Sequence, residues 1–133
     1  VAEPKTRPTD ADVGEFFAAV PDERRRQEAL AVDRMLREAT GEQPVMWGPS
    51  IVGYGAVEIE NAGGKTTAWP VIGFSPRKAE LVIYVSTELE PELFADLGPH
   101  RRGVACLYVK RLAAIDQGIL RRVIDRSIEL AQG

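Results

Sequence analysis

One cysteine and one histidine stand among 133 residues. A lone cysteine closes no internal disulfide and excludes a cysteine-rich zinc centre, and a lone histidine excludes the histidine clusters of metal hydrolases. No apolar run approaches the roughly 20 residues that cross a bilayer. The first residues, Val-Ala-Glu-Pro-Lys-Thr-Arg, lack the apolar stretch of a secretory signal, so a cytoplasmic location is expected. There is no Gly-x-Ser-x-Gly elbow, dinucleotide fingerprint, phosphate-cradling glycine loop or His-Glu-x-x-His pair. The ordinary enzyme classes are thus poorly supported, and an enzyme of unknown class is the last choice.

What is present is the composition of one ordinary globular domain, 44% hydrophobic and 28% charged. A formal net charge of −3 argues against nonspecific nucleic-acid binding, although it leaves room for a local basic patch. Residues 1–8 hold two prolines and no periodicity, and read as a flexible leader to a single domain over 9–133. Thr9 is the expected cap of a short helix bearing Val13, Phe16, Phe17 and Val20. A longer helix is expected from Asp22 to Thr40, closed by Gly41. Its apolar stripe is read as Leu30, Ala31, Met35, Leu36 and Ala39, with Glu28 and Asp33 on the solvated side.

From Ile51 the period falls toward two. Residues 51–60 and 66–74 read as a hairpin about Asn61-Ala62-Gly63-Gly64, with Pro70 demanding an edge or a bulge. That edge is either exposed or a dimer surface, so the chain is read as monomer or homodimer. Strands at 80–86 and 104–110 follow, separated by a short helix near Pro91 to Leu97. A final helix carries Ile119, Leu120, Val123, Ile124 and Ile128. The fold class is therefore α+β, a mostly antiparallel four-stranded sheet with helices mainly on one face. Cys106, within Val104-Ala105-Cys106-Leu107-Tyr108-Val109, reads as a buried strand residue.

Two segments carry the candidate site: Met46-Trp47-Gly48-Pro49-Ser50-Ile51-Val52-Gly53-Tyr54-Gly55 and Gly73-Phe74-Ser75-Pro76-Arg77-Lys78. Trp47 and Tyr54 either wall a small cleft or, in the case of Trp47, seal the core edge. Pro76 restrains both its own φ and Ser75, which limits where Arg77 and Lys78 point. A guanidinium offers planar bidentate bonds and an ammonium a point charge, the pair needed for a carboxylate or phosphate. The alternative is a structural turn with ordinary salt bridges. His100-Arg101-Arg102 is another basic loop, which together with Arg77, Lys78 and Lys110 would complete a cationic rim. Glu92 and Asp96, four apart, would offer oxygens to a hard cation from one helix face.

The motif order is also specific. Thr40-Gly41-Glu42, Met46-Trp47-Gly48, Ile51-Val52-Gly53-Tyr54-Gly55, Gly73-Phe74-Ser75-Pro76-Arg77-Lys78, Leu81-Val82-Ile83-Tyr84, Leu97-Gly98 and Gly103-Val104-Ala105-Cys106-Leu107-Tyr108 resemble the YdhG-like family of small bacterial domains. The resemblance implies a compact α+β domain likened to frataxin-type proteins, in a family mostly without assigned biochemistry. Some relatives are described as iron chaperones, which brings iron in as the one implied metal; no ligand set transfers residue by residue. The leading expectation is a non-enzymatic domain that binds a small anionic ligand or an acidic partner segment through Trp47, Tyr54, Ser75, Arg77 and Lys78, with no cofactor. Iron binding by surface carboxylates such as Glu92 and Asp96 is the alternative.

Overall fold

The computed structural model describes residues 8–60 and 63–132. Helix α1 (Val13–Ala18) and helix α2 (Glu23–Thr40) precede eight strands, and helix α3 (Gln117–Gln132) ends the fold. The strands are β1 (Pro44–Trp47), β2 (Ile51–Tyr54), β3 (Val57–Glu60), β4 (Thr66–Trp69), β5 (Ile72–Pro76), β6 (Leu81–Tyr84), β7 (Arg101–Arg102) and β8 (Cys106–Val109). Six of them form one antiparallel sheet in the order β1-β2-β5-β6-β8-β7, and β3 with β4 forms a separate two-stranded ribbon. The α+β class holds, with helices against an antiparallel sheet. No helix among the described residues is long and apolar enough to cross a membrane.

Of the four strands expected, two split in half for local reasons, and β1 and β7 form in segments where no strand is expected. Gly55, at φ 71°, and Pro70, which has no N–H to give, break the two arms of the long hairpin side by side. Residues 51–60 therefore split into β2 and β3, and 66–74 into β4 and β5. The tip residues Asn61 and Ala62 lie outside the described residues, as do residues 1–7 of the expected leader. Pro8, the last of that leader, bridges Trp47, and the Thr9 N–H donates to the Met46 carbonyl at 2.8 Å. The short helix is a 3-10 turn over Pro91–Phe94.

Asp12, not Thr9, caps α1 by accepting from the Glu15 N–H at 3.0 Å; the Thr9 hydroxyl accepts from Ala11 instead. Asp22 caps α2, and Gly41 at φ 71° ends it with its N–H on the Arg37 carbonyl. The buried stripe of α2 is Ala29, Val32, Met35 and Leu36, while Leu30 remains 40% exposed. Glu28 and Asp33, expected in solvent, face inward because each has a fixed partner there. Glu28 accepts from Arg25 Nη1 at 2.7 Å and from the Leu112 N–H at 2.8 Å. Arg25 Nε has no hydrogen-bond partner among the described residues.

Alternation gives the sheet two distinct faces. Val52, Tyr54, Ile72, Phe74, Leu81, Ile83, Leu107 and Val109 pack with the helices in one core. By strand alternation Trp47, Gly53, Gly73, Ser75, Val82, Tyr84, Cys106 and Tyr108 belong to the second face. There the indole of Trp47 lies over Gly53 and beside Pro70. A Cβ at Gly53 would sit 2.4 Å from Trp47 Cδ1 and 2.8 Å from Pro70 Cβ. The substitution Gly53→Ala is expected to destabilise the fold by about 1–3 kcal/mol through overpacking. Urea denaturation measures it, and an unchanged midpoint would contradict this packing.

Candidate functional site

The structure does not bring the five candidate residues together. Trp47 and Tyr54 are 2% and 0% exposed and lie on opposite faces of the sheet, so they share no cleft wall. The physical reason is parity across a tight turn. Trp47 pairs with Ile51 and so shares the face of Ile51 and Gly53, one position out of step with Tyr54. The Tyr54 ring packs 6.4 Å from that of Phe74, and its hydroxyl donates to Asp33 Oδ1 at 2.5 Å. Burial foremost, then the Asp33 hydrogen bond, pushes the Tyr54 hydroxyl far above its ordinary value. Asp33 in turn accepts from Arg37 Nε at 3.0 and 3.1 Å.

Ser75 is buried at 1% exposure on the second face, while Arg77 and Lys78 are exposed in the turn after β5. The Arg77 N–H donates to the Ser75 carbonyl at 3.0 Å across Pro76, so the proline fixes this turn as its chemistry requires. From there the guanidinium runs back over the sheet, and Nη2 donates to the Tyr84 hydroxyl at 2.8 Å. Trp69, on the ribbon, meets the Tyr84 ring edge-on with centroids 6.4 Å apart. The ribbon therefore roofs the β1 side of the second face. The β8 side stays open.

On that open side the basic loop and the end of β8 converge. Glu80, His100, Arg101, Tyr108, Lys110 and Arg111 line a recess of 510 Å³. The pairing Arg101↔Tyr108 across β7 and β8 sets the geometry: the Arg101 guanidinium lies over the Tyr108 ring, 3.9 Å from its centroid. Arg101 Nη2 also donates to Glu80 Oε1 at 2.5 Å. Lys110 and Arg111 are exposed and pair with no carboxylate among the described residues. Arg102 is the exception in the loop, since it points the other way onto the Phe94 ring. Burial raises the Tyr84 hydroxyl against the opposing charge of Arg77, and a hydrogen bond to Cys106 raises that of Tyr108. Cys106 itself is only half-buried, because it too lies on the second face.

A second recess of 540 Å³ adjoins the first, sharing Arg111 and Ala114, and reaches Arg24 and Gln27 on α2. Glu92 and Asp96 line a third, of 300 Å³, with Glu90 and Arg122. Glu90 there is gripped by Arg126 Nε at 2.7 and 2.9 Å, a bond that holds its carboxyl below the usual range. No group of three metal-ligating side chains occurs among the described residues. With Glu90 taken up by Arg126, the two carboxylates left facing Arg122 make a poor donor set for iron.

Tyr84 and Tyr108 were not legible as site residues, because a tyrosine in an apolar strand reads as core. Period-two alternation, which sets Tyr108 in line with Lys110, is the signal that finds it. No family model matches the chain, and neither does any curated protein or solved structure compared with it.

The Tyr54–Asp33 bond makes its own prediction. Tyr54→Phe leaves buried Asp33 short of a donor and is expected to cost about 1–3 kcal/mol at neutral pH. The folded state keeps Tyr54 neutral where the unfolded chain ionises it, near pH 10.0. Its contribution is complete below that pH and is lost as pH rises above it, at up to about 1.4 kcal/mol per unit. Denaturation of both proteins from about pH 9 to 11 should show the gap between them closing; a constant gap would refute the assignment.

Proposed function

We propose that this domain is a non-enzymatic binder of a small anionic ligand, or of an acidic segment of a partner, at the recess beside β7 and β8. The observation that supports this reading is the convergence of His100, Arg101, Lys110 and Arg111 on one cavity with a single carboxylate, Glu80, among them. Arg101 is paired to that carboxylate, which leaves Lys110 and Arg111, among the described residues, as the cations free to meet an anion. Arg77 and Lys78, on the turn before Glu80, add positive potential at the same end of the sheet. The recess has the volume of an ordinary small-molecule site.

An acyl-transfer reading through Ser75 and His100 finds no support. Ser75 is buried, and the pairings Ser75↔Val82, Val82↔Tyr108 and Tyr108↔Arg101 separate it from Arg101, next to His100, by three strand spacings. That is roughly 14 Å at about 4.8 Å per spacing. On motif order alone we also propose membership in the YdhG-like family; a cytoplasmic location is proposed separately, beside the absence of a membrane-crossing helix among the described residues.

Calorimetric titration with inorganic phosphate at low salt tests the binding reading. Lys110→Glu with Arg111→Glu should weaken phosphate binding by about tenfold or more, and added salt should weaken it in the unaltered protein. Arg77→Glu with Lys78→Glu should have a smaller effect of the same sign. Unchanged affinity in the Lys110 and Arg111 variant, with its circular dichroism intact, would overturn the assignment.

A further inference from the structure

We infer that the ligand of this recess is a nucleoside monophosphate, a phosphate monoester that carries a flat aromatic base. The inference rests on the anion-binding reading and goes past it, because the recess has features that an inorganic anion does not use. At 510 Å³ it has room for base, sugar and phosphate together, and Pro99, Tyr108 and Ala114 add apolar wall between the cations. A site built for phosphate alone is small and polar throughout. This one is bipartite.

The cationic part suits a dianion. Lys110 and Arg111 are exposed, adjacent in sequence and uncommitted to any carboxylate among the described residues. A phosphate monoester carries close to two charges at neutral pH, which two such cations match and one carboxylate does not. Arg111 also opens onto the adjoining recess with Arg24, whose one carboxylate, Glu28, is already held by Arg25 and the Leu112 N–H, so a phosphate at Arg111 would meet further positive charge on the side away from Glu80.

The aromatic part suits a base. The Tyr108 ring is half-buried and held in place from two sides, by Arg101 over its face at 3.9 Å and by Gly103. A Cβ at Gly103 would come within 3.2 Å of Tyr108 Cε2 and 3.3 Å of its hydroxyl. Arg101 already covers one face of that ring, so the base stacks on the outer face of the Arg101 guanidinium, a plane that is held before binding and loses little freedom on it. Guanidinium and tyrosine planes are the surfaces on which bases stack, with an effect of about tenfold or more per base. His100 adds a third flat group at the same cavity, its ring 5.7 Å from that of Phe94.

The test compares ligands on the unaltered chain, so it survives a variant that fails to fold. Adenosine monophosphate, ribose 5-phosphate, phenyl phosphate, adenosine and inorganic phosphate are titrated by calorimetry at one salt concentration. Adenosine monophosphate is expected to bind about tenfold tighter than ribose 5-phosphate, and tighter than phenyl phosphate or adenosine. Tyr108→Leu should close the gap between the nucleotide and ribose 5-phosphate, whereas Tyr108→Phe, which keeps the ring, should preserve it. Lys110→Glu with Arg111→Glu should weaken all the phosphate ligands together. If the nucleotide and ribose 5-phosphate bind equally, or phenyl phosphate matches the nucleotide, the base assignment is overturned while anion binding stands. If adenosine binds as well as its phosphate, the dianion assignment falls. If no phosphate ligand binds, the anion-binding reading itself fails and this inference with it.

Discussion

The second face of the sheet is organised by the absence of side chains at its centre. Gly53 and Gly73 are cross-strand partners, and a Cβ at Gly73 would lie 2.8 Å from the Val52 carbonyl oxygen. The resulting trough admits the Trp47 indole against backbone, and Pro70 closes over it. The ribbon of β3 and β4 can then fold down until Trp69 meets Tyr84. An ordinary strand residue at 53 would lift the indole, and the roof would lift with it. The open half near β8 is thus defined by how far the covered half extends.

The charges divide in a way that the net figure of −3 conceals. Two carboxylates of α2, Glu28 and Asp33, are buried and committed to protein donors, while Asp12 and Asp22 cap helices. These acids stabilise the fold and contribute little to what a ligand meets. Several basic side chains remain exposed, and Arg101, Lys110 and Arg111 gather at one end of the sheet. A mildly acidic protein can in this way present a positive cavity.

Features that depend on one residue's backbone chemistry were legible in the sequence: Asp22 and Gly41 bounding α2, Pro76 fixing its turn, and the apolar stripe of α3. Features that depend on a count of residues across a turn were not. The cleft reading puts Trp47 and Tyr54 on one wall because nothing local reveals the register Trp47↔Ile51; the alternative, a Trp47 that packs as a plug, agrees with its burial. Glu28 and Asp33 read as solvated in the sequence because acids usually are, and only the positions of Leu112 and Tyr54 explain their burial. Of the expected cationic rim, His100, Arg101 and Lys110 do meet at one cavity, while Arg102 turns away to Phe94, Arg77 reaches Tyr84, and neither Arg77 nor Lys78 lines the recess.

The bond from the Leu112 N–H to Glu28 spans 84 residues. Closing a loop of that length costs about 4 kcal/mol in chain entropy, more than one hydrogen bond returns. That tie therefore cannot form by itself; it waits until α2, the sheet and the segment leading into α3 are already in contact. Arg111, next to Leu112, takes its place at the recess in the same event. The cavity therefore depends on contacts made between distant parts of the chain, and it exists only where the segment leading into α3 is docked on α2.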